Sequence, residues 1–469
     1  MIFLASFLLF FYVAFTLIML DKIYKGNAAY LLLYIVSFLP FYTIFQIIVF
    51  NAFENIFIVN LIKYSKDFVL LSSFLIYVIG DSKSFFKREF TISFLDKLLL
   101  GFLIIVLFYI FIPLGESTFL SKLVYAKNIF LIPIVYFFGR NTNLNFENWN
   151  SILNITIGLI LLAFIISSFE KIFGIHIHSI LEYSKYNLIF YDIEPQGNYG
   201  LSWTFENQNA NPRFASFFSD PLEYSASLIL FLVISIWHFI NSKILNNKIL
   251  YLLLIFVVIV SFFYAKSRAS IVSAVMVLTL ALYISKYYRT MIIGSLLIVS
   301  FFLYLYFFSI EETKYLIQDT LSFQNASSLG HLVEWIEGLL SIYENPFGIG
   351  LAMSGNASGV DQAIKISGEN QFLIYGVQMG FLSLVLYLTI ILKSIWNSLS
   401  LFLKNSNPNI KSVGFIAGLT KFGLLIPLFT ANAELYLFVA LFSWYLVGQA
   451  EKLYNSSFEI NNNIKIEKN

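Results

Sequence analysis

The sequence predicts an all-α polytopic membrane protein of about 12–13 transmembrane helices with two long extracytoplasmic loops. Three observations carry this expectation. The 469 residues are 59% hydrophobic and only 12% charged, whereas soluble domains are roughly 45–50% apolar and about 25% charged. Mean hydropathy is +0.79. Apolar runs recur at about the 20-residue length that a helix needs to cross the hydrocarbon core, and the alternating segments of a membrane β-barrel do not occur.

Apolar spans lie near 1–20, 28–50, 66–80, 98–113, 123–139, 151–168, 222–240, 249–264, 269–285, 291–308, 371–391, 413–430 and 434–449. They number thirteen, or twelve without the third, whose start is crowded by Lys63, Lys66 and Asp67. The first span lacks the positive n-region and small-residue cleavage site of a signal peptide and reads as a membrane helix. Orientation follows from loop charge. One alternate set of loops holds Lys22, Lys25, Lys83, Lys87, Arg88, Lys97, Arg140, Lys243, Lys248, Lys286, Arg289, Lys393, Lys404, Lys411 and Lys452. The opposite set holds Lys63, Lys66, Lys122, Lys266 and Arg268. The richer set is expected in the cytoplasm. Both long loops, near 169–221 and 309–370, then face outward, where they can build one site. The expected organisation is a single transmembrane domain over 1–450 and a polar cytoplasmic tail over 451–469.

The first long loop carries Tyr199, Trp203, Phe205, Asn207 and Asn209. These residues suit either stacking and hydrogen bonding on sugars or anchoring at the interface. Arg213 follows, just before a helix start marked by Asp220 as N-cap and Pro221 in the first turn. The second long loop leads through GHLVEW, where His331, Glu334 and Trp335 share a helical face at i, i+3 and i+4. It continues past Tyr343, Phe347 and Met353 in a glycine-rich turn to Glu369-Asn370.

Charged groups at membrane depth are costly and so are functional candidates. Arg268, with Lys266 beside it, falls in a short outward turn. Its guanidinium can grip a phosphate bidentately or can snorkel at a helix end. His331 can be a general base, an anion ligand or a solvated loop residue. Glu369 can take a proton from a sugar hydroxyl, or stabilise a helix dipole by roughly 0.3–1 kcal/mol. Lys421 and Glu434 are polar points in the last helices that can pair structurally. With no cysteine, disulfide and thiolate chemistry are excluded. Of four histidines, His176 and His178 in GIHIHSI read as a solvated strand-like turn rather than a metal site. A net charge of +2 without an arginine stripe gives no sign of a nucleic-acid partner.

Four segments together resemble the O-antigen polymerase and O-antigen ligase superfamily: RFASFFSDP, KSRAS, GHLVEW…ENPFGIG and ENQFLIYGVQMGFLSL. The resemblance implies a bacterial inner-membrane glycosyltransferase with its site facing the periplasm. It implies an undecaprenyl-diphosphate-linked glycan as donor, with neither metal nor cofactor, and a possible chain-length regulator as partner. Arg213 and Arg268 would grip the diphosphate. Glu369 or His331 would be the catalytic base, supported by Asn370, Glu334, Trp335 and Lys266. Two departures from the pattern matter. His331 stands where the family commonly has arginine before the tryptophan. The ligase signature of His-Asn, nine residues, then Gly-x-x-Gly becomes Glu369-Asn370 followed by Gly380 to Ser383. These departures favour polymerisation of repeat units over ligation to lipid A core. A lipid-linked sugar flippase is the rival from another class, but its expected mid-helix charges and repeated halves are not evident.

Overall fold

The computed structural model describes residues 2–27, 29–80, 92–207, 210–308, 326–355, 365–366 and 368–466. The first half of the chain contains α1 (Ile2–Tyr24), α2 (Ala29–Phe38), α3 (Tyr42–Phe53), α4 (Ile56–Gly80), α5 (Phe94–Phe111), α6 (Phe119–Asn141) and α7 (Phe146–Phe173). After two short helices, α8 (Ile177–Ile180) and α9 (Tyr183–Tyr191), come α10 (Pro221–Asn241), α11 (Leu245–Ala265), α12 (Arg268–Ile284) and α13 (Tyr288–Phe308). The last third has α14 (Ala326–Glu344), α15 (Gln371–Met379), α16 (Phe381–Lys404), α17 (Pro408–Gly423), α18 (Leu425–Thr430) and α19 (Leu437–Ile466). Among the described residues there is no β-strand, only an isolated bridge between Glu206 and Pro212.

This is an all-α polytopic membrane protein. Nine helical stretches among the described residues are long and apolar enough to cross a membrane, α2–α3 and α17–α18 each counting as one. The other four predicted spans are helical too, as α4, the shorter α12, α13 and α19. Large apolar side chains such as Phe3, Phe10, Ile172, Phe256 and Trp396 project outward from their helices. Such a surface is untenable in water and natural against lipid. Most of α10 is buried inside the bundle, and it carries Glu223, Ser225, Ser227 and Ser235 with it, away from lipid.

Contacts between connecting segments gather in two groups. At one end, Trp149 Nε1 donates to Ser412 Oγ at 2.7 Å, and Lys452 Nζ donates to the Thr142 carbonyl at 2.9 Å. Arg140 lies 3.5 Å from Asp96, whose carboxylate also closes a capping box with Ser93. At the other end, the loop after α14 docks on the turn between α5 and α6. Tyr109 donates to the Phe347 carbonyl, and Ser117 donates to that of Leu351 at 2.7 Å.

Several sequence expectations need correction. The third span does not start at residue 66: α4 begins at Ile56 and carries Asp67 inward, where the carboxylate pairs with Lys127 of α6. The expected span 371–391 is broken at Gly380 into α15 and α16. The last helix passes residue 450 and runs to Ile466, with Glu451 buried and accepting from Asn397 at 2.7 Å. Lys83, Lys87, Arg88, Asn209 and the stretch 309–325 lie outside the described residues.

The break at Gly380 has a steric cause. Its φ is +84°, and a Cβ there would stand 2.4 Å from the Pro346 carbonyl oxygen. Gly348 faces it at φ +80°, with a Cβ position 2.5 Å from the Gln378 carbonyl oxygen. Two glycines therefore let the ENPFGIG loop lie directly on the backbone of α15. We expect Gly380→Ala to undock this loop, with strain of about 1–3 kcal/mol from the backbone conformation alone. Limited proteolysis should then cut near residue 347 faster than in the parent, and equal rates would show the contact to be dispensable.

Candidate active site at the loop-rich end

The segment carrying Arg213 is held from both sides. Arg213 N–H donates to the Phe205 carbonyl at 2.8 Å, and Phe214 N–H donates to the Tyr264 carbonyl at 3.1 Å, beside the turn that carries Arg268. Ser216 N–H donates to Glu170 Oε2 at 2.9 Å. Asp220 is the N-cap read from the sequence: its Oδ1 accepts from Leu222 and Glu223 N–H at 2.7 and 2.8 Å. Arg268 opens α12 behind the N-cap Ser267 and is exposed.

These anchors gather cations. Burial lowers the Arg213 pKa, and the charge of Arg268 lowers it further, so the two guanidiniums share one field. Burial also lowers Lys266, with Lys171 and Arg213 adding to the effect. Lys171 Nζ lies 6.0 Å from the Phe214 ring centroid. Among the described residues, none of Lys171, Arg213, Lys266 and Arg268 forms a salt bridge. Arg213 Nε is buried without a hydrogen-bond partner. A buried donor left unsatisfied costs about 1–3 kcal/mol, and more when charged. Gathered cations with an orphan donor suit an anion, with Asp220 the carboxylate that acts on Arg213.

The second half of the site comes from α14 and the N-terminus of α15. His331 Nδ1 lies 2.5 Å from Glu369 Oε2. Glu369 raises the His331 pKa above the usual histidine value; burial opposes this, Glu334 adds to it, and Arg268 subtracts. Glu334 Oε2 accepts from Gly368 N–H at 3.0 Å, which fixes the approach to Glu369. Burial raises the Glu334 carboxyl, and the charge of Glu369 raises it further. Trp335 packs on the cluster of Ile342, Leu373 and Val377, with its Nε1 buried and unpartnered. Asn370 is the N-cap of α15, its Oδ1 accepting from Phe372 and Leu373 N–H at 3.0 and 3.2 Å. Since Asn370 caps the helix, the Glu369 carboxylate is left to pair with His331. The two base candidates thus form one dyad, and the dyad senses Arg268.

The histidine pair of the first loop is not the solvated turn expected from the sequence. Both rings are buried, with His178 on α8 and His176 just before it. His176 lies 4.9 Å from the Tyr199 ring and 5.1 Å from Phe214, and His178 lies 4.9 Å from Phe205. Burial lowers their pKa values to about 4 and about 3. They are neutral packing residues beneath the Arg213 segment. Among the described residues, no group of three or more His, Cys, Asp or Glu side chains could hold a metal ion.

Two contributors escaped the sequence reading. Gln378, fully buried, donates to Tyr125 Oη at 2.8 Å and to the Ser354 carbonyl at 2.9 Å, and accepts from Ala352 N–H at 2.9 Å. It clamps the glycine-rich loop to α15 and α6. A glutamine inside an apolar run was its only signal. Lys171 was hidden because α7 runs further than its apolar core predicts. Along this loop Met353 is buried and Trp335 half-buried, while Tyr343 and Phe347 are exposed.

No family model matches the chain, and no curated protein matches it.

Proposed function

We propose that this chain is a metal-independent membrane glycosyltransferase that polymerises lipid-diphosphate-linked oligosaccharide repeat units at the outer face of the bacterial cytoplasmic membrane. One observation carries the reading: His331 Nδ1 and Glu369 Oε2 pair at 2.5 Å, and the charges of Arg213 and Arg268 act on each other and, from Arg268, on His331. Glycosyl transfer from a lipid diphosphate needs both parts. The acceptor hydroxyl forms a new bond to the anomeric carbon and gives its proton to the dyad. The bond from that carbon to the phosphate oxygen breaks, and the lipid diphosphate leaves with the electron pair. Guanidiniums aimed at the departing oxygens stabilise the charge that develops there.

Ligation to lipid A core is the second reading, since the Glu369-Asn370 to Gly380 spacing is that of the ligase signature although its histidine and last glycine are replaced. The deciding experiment supplies the purified protein in nanodiscs with an undecaprenyl-diphosphate-linked repeat unit, with and without lipid A core. A ladder of lipid-linked polymer and release of undecaprenyl diphosphate without lipid A core is the expected result. Product only on lipid A core would establish a ligase, and lipid movement without transfer a flippase.

A further inference from the structure

A small pocket lies between α6, α15 and the turn that precedes α19, bordered by Tyr125, Asn128, Gln371, Tyr375, Asn432 and Glu434. Its interior is about 10 Å³, on a measure in which one water needs roughly 10–15 Å³. It therefore admits one water or one hydroxyl group, and it is only partly enclosed. Gln371 is only 1% exposed, and its Oε1 has no hydrogen-bond partner. A buried amide oxygen in this state needs a donor. Asn128 and Asn432 add further amides, and Tyr125 and Tyr375 belong to the same lining.

The charge on the wall is already neutralised. The Glu434 carboxylate accepts from Tyr387 and, at 3.0 Å, from Trp444 Nε1, and Lys421 Nζ stands 3.8 Å from it. An ionic ligand finds no free counter-charge in this pocket, so the matching chemistry is a neutral hydroxyl. The position is also informative. Gln371 is two residues from Glu369, and Leu435 of the pocket wall precedes Tyr436, whose hydroxyl feels Asp220, Glu223 and Glu369. Through Gln371 the pocket lies two residues along the chain from the Glu369–His331 pair.

We infer that this pocket is a carbohydrate subsite, with the Gln371 carbonyl oxygen accepting a hydrogen bond from one hydroxyl of a neutral sugar. The inference rests on the proposed glycan chemistry only in taking a sugar, rather than solvent, as the source of that hydroxyl. The occupant would be held beside the dyad and would orient the acceptor end for transfer.

The test is saturation-transfer difference NMR on the full chain in nanodiscs, with methyl glucoside, methyl galactoside and methyl N-acetylglucosaminide as probes. At least one probe should give a saturable signal. Gln371→Leu should weaken its binding roughly tenfold or more, the size expected when a buried hydrogen bond is lost. Asn432→Ala, on a separate element, should weaken it too and guards against a folding defect in the first variant. If no glycoside binds, or if both variants bind as the parent does, the pocket holds water only and the inference fails. Sugar binding that depends on Gln371 in a chain that makes no polymer would keep the subsite and discard the polymerase. Polymer synthesis without any sugar signal would do the reverse.

Discussion

Glu369→Gln is expected to reduce polymer formation by roughly 10²–10⁴-fold, the usual weight of general-base catalysis, while leaving membrane levels unchanged. The fold should survive because Asn370, not Glu369, caps α15, and Glu334 holds the Gly368 N–H. The amide keeps the shape of the carboxylate but cannot take a proton or sustain the ion pair with His331. The pH dependence supplies a second readout. In the parent, Glu369 raises the His331 pKa, so the protonated imidazole persists above the ordinary histidine range and the ion pair is lost only as pH rises through that raised value. In the variant this largest cause is removed, and His331 should titrate at lower pH. Glu369→His, which restores the residue usual in the resembled ligases, should retain measurable activity because imidazole can accept the same proton. The assay is the polymer ladder in cells lacking the native gene, with membrane levels checked by blotting. A normal ladder from the glutamine variant would reduce Glu369 to a positioning partner and leave His331, oriented by Glu334, as the base.

The scaffold was more legible than the site, and the reason is physical. A span such as 222–240 is dictated by transfer free energy over about 20 residues, and α10 duly occupies it. The Asp220-Pro221 start was equally plain, since an N-cap and a proline act within one turn. Where local preference competes with tertiary contact, sequence reading falls short. The run 371–391 is mostly apolar, yet α15 ends at Gly380 because Pro346 and Phe347 approach its backbone from a loop more than 30 residues earlier in the chain. GIHIHSI looks polar, yet its rings are buried by Tyr199, Phe205 and Phe214, which no local pattern announces.

The candidate site shows the same division. Arg213, Arg268, His331 and Glu369 could be singled out one at a time, because charge or histidine at the end of a membrane helix is conspicuous. Their pairing could not be seen. Glu369 and His331 looked like competing bases, and only the packing of α14 against α15 brings them to 2.5 Å. Asn370 looked like a support for the base, and it caps α15. Lys171 was missed because α7 runs past its apolar core and carries the lysine in its last turn. Its closeness to the Arg213 segment depends on Phe214 lying between them.

Arg268→Lys should lower the rate roughly 10- to 10²-fold although the charge is kept. Hydrogen bonds to charged groups are worth about 1.5–3 kcal/mol, and a lysine matched to a pair of phosphate oxygens loses one bond and the fixed plane of the fork. Point charge is not scarce here, since Lys171 and Lys266 stand in the same field as Arg213. What the guanidinium adds is geometry. Arg213→Lys should cost at least as much, because Arg213 Nε is buried with no hydrogen-bond partner of its own. Arg268→Ala should also raise the His331 titration, as the arginine charge opposes protonation of that ring. Two measurements separate binding from chemistry. Native mass spectrometry of the nanodisc protein should show weaker retention of undecaprenyl diphosphate in both lysine variants, and initial rates of ladder formation should fall in step. Long polymer at the parental rate from Arg268→Lys would leave this residue an interfacial anchor and move the diphosphate site onto Arg213 and the lysines alone.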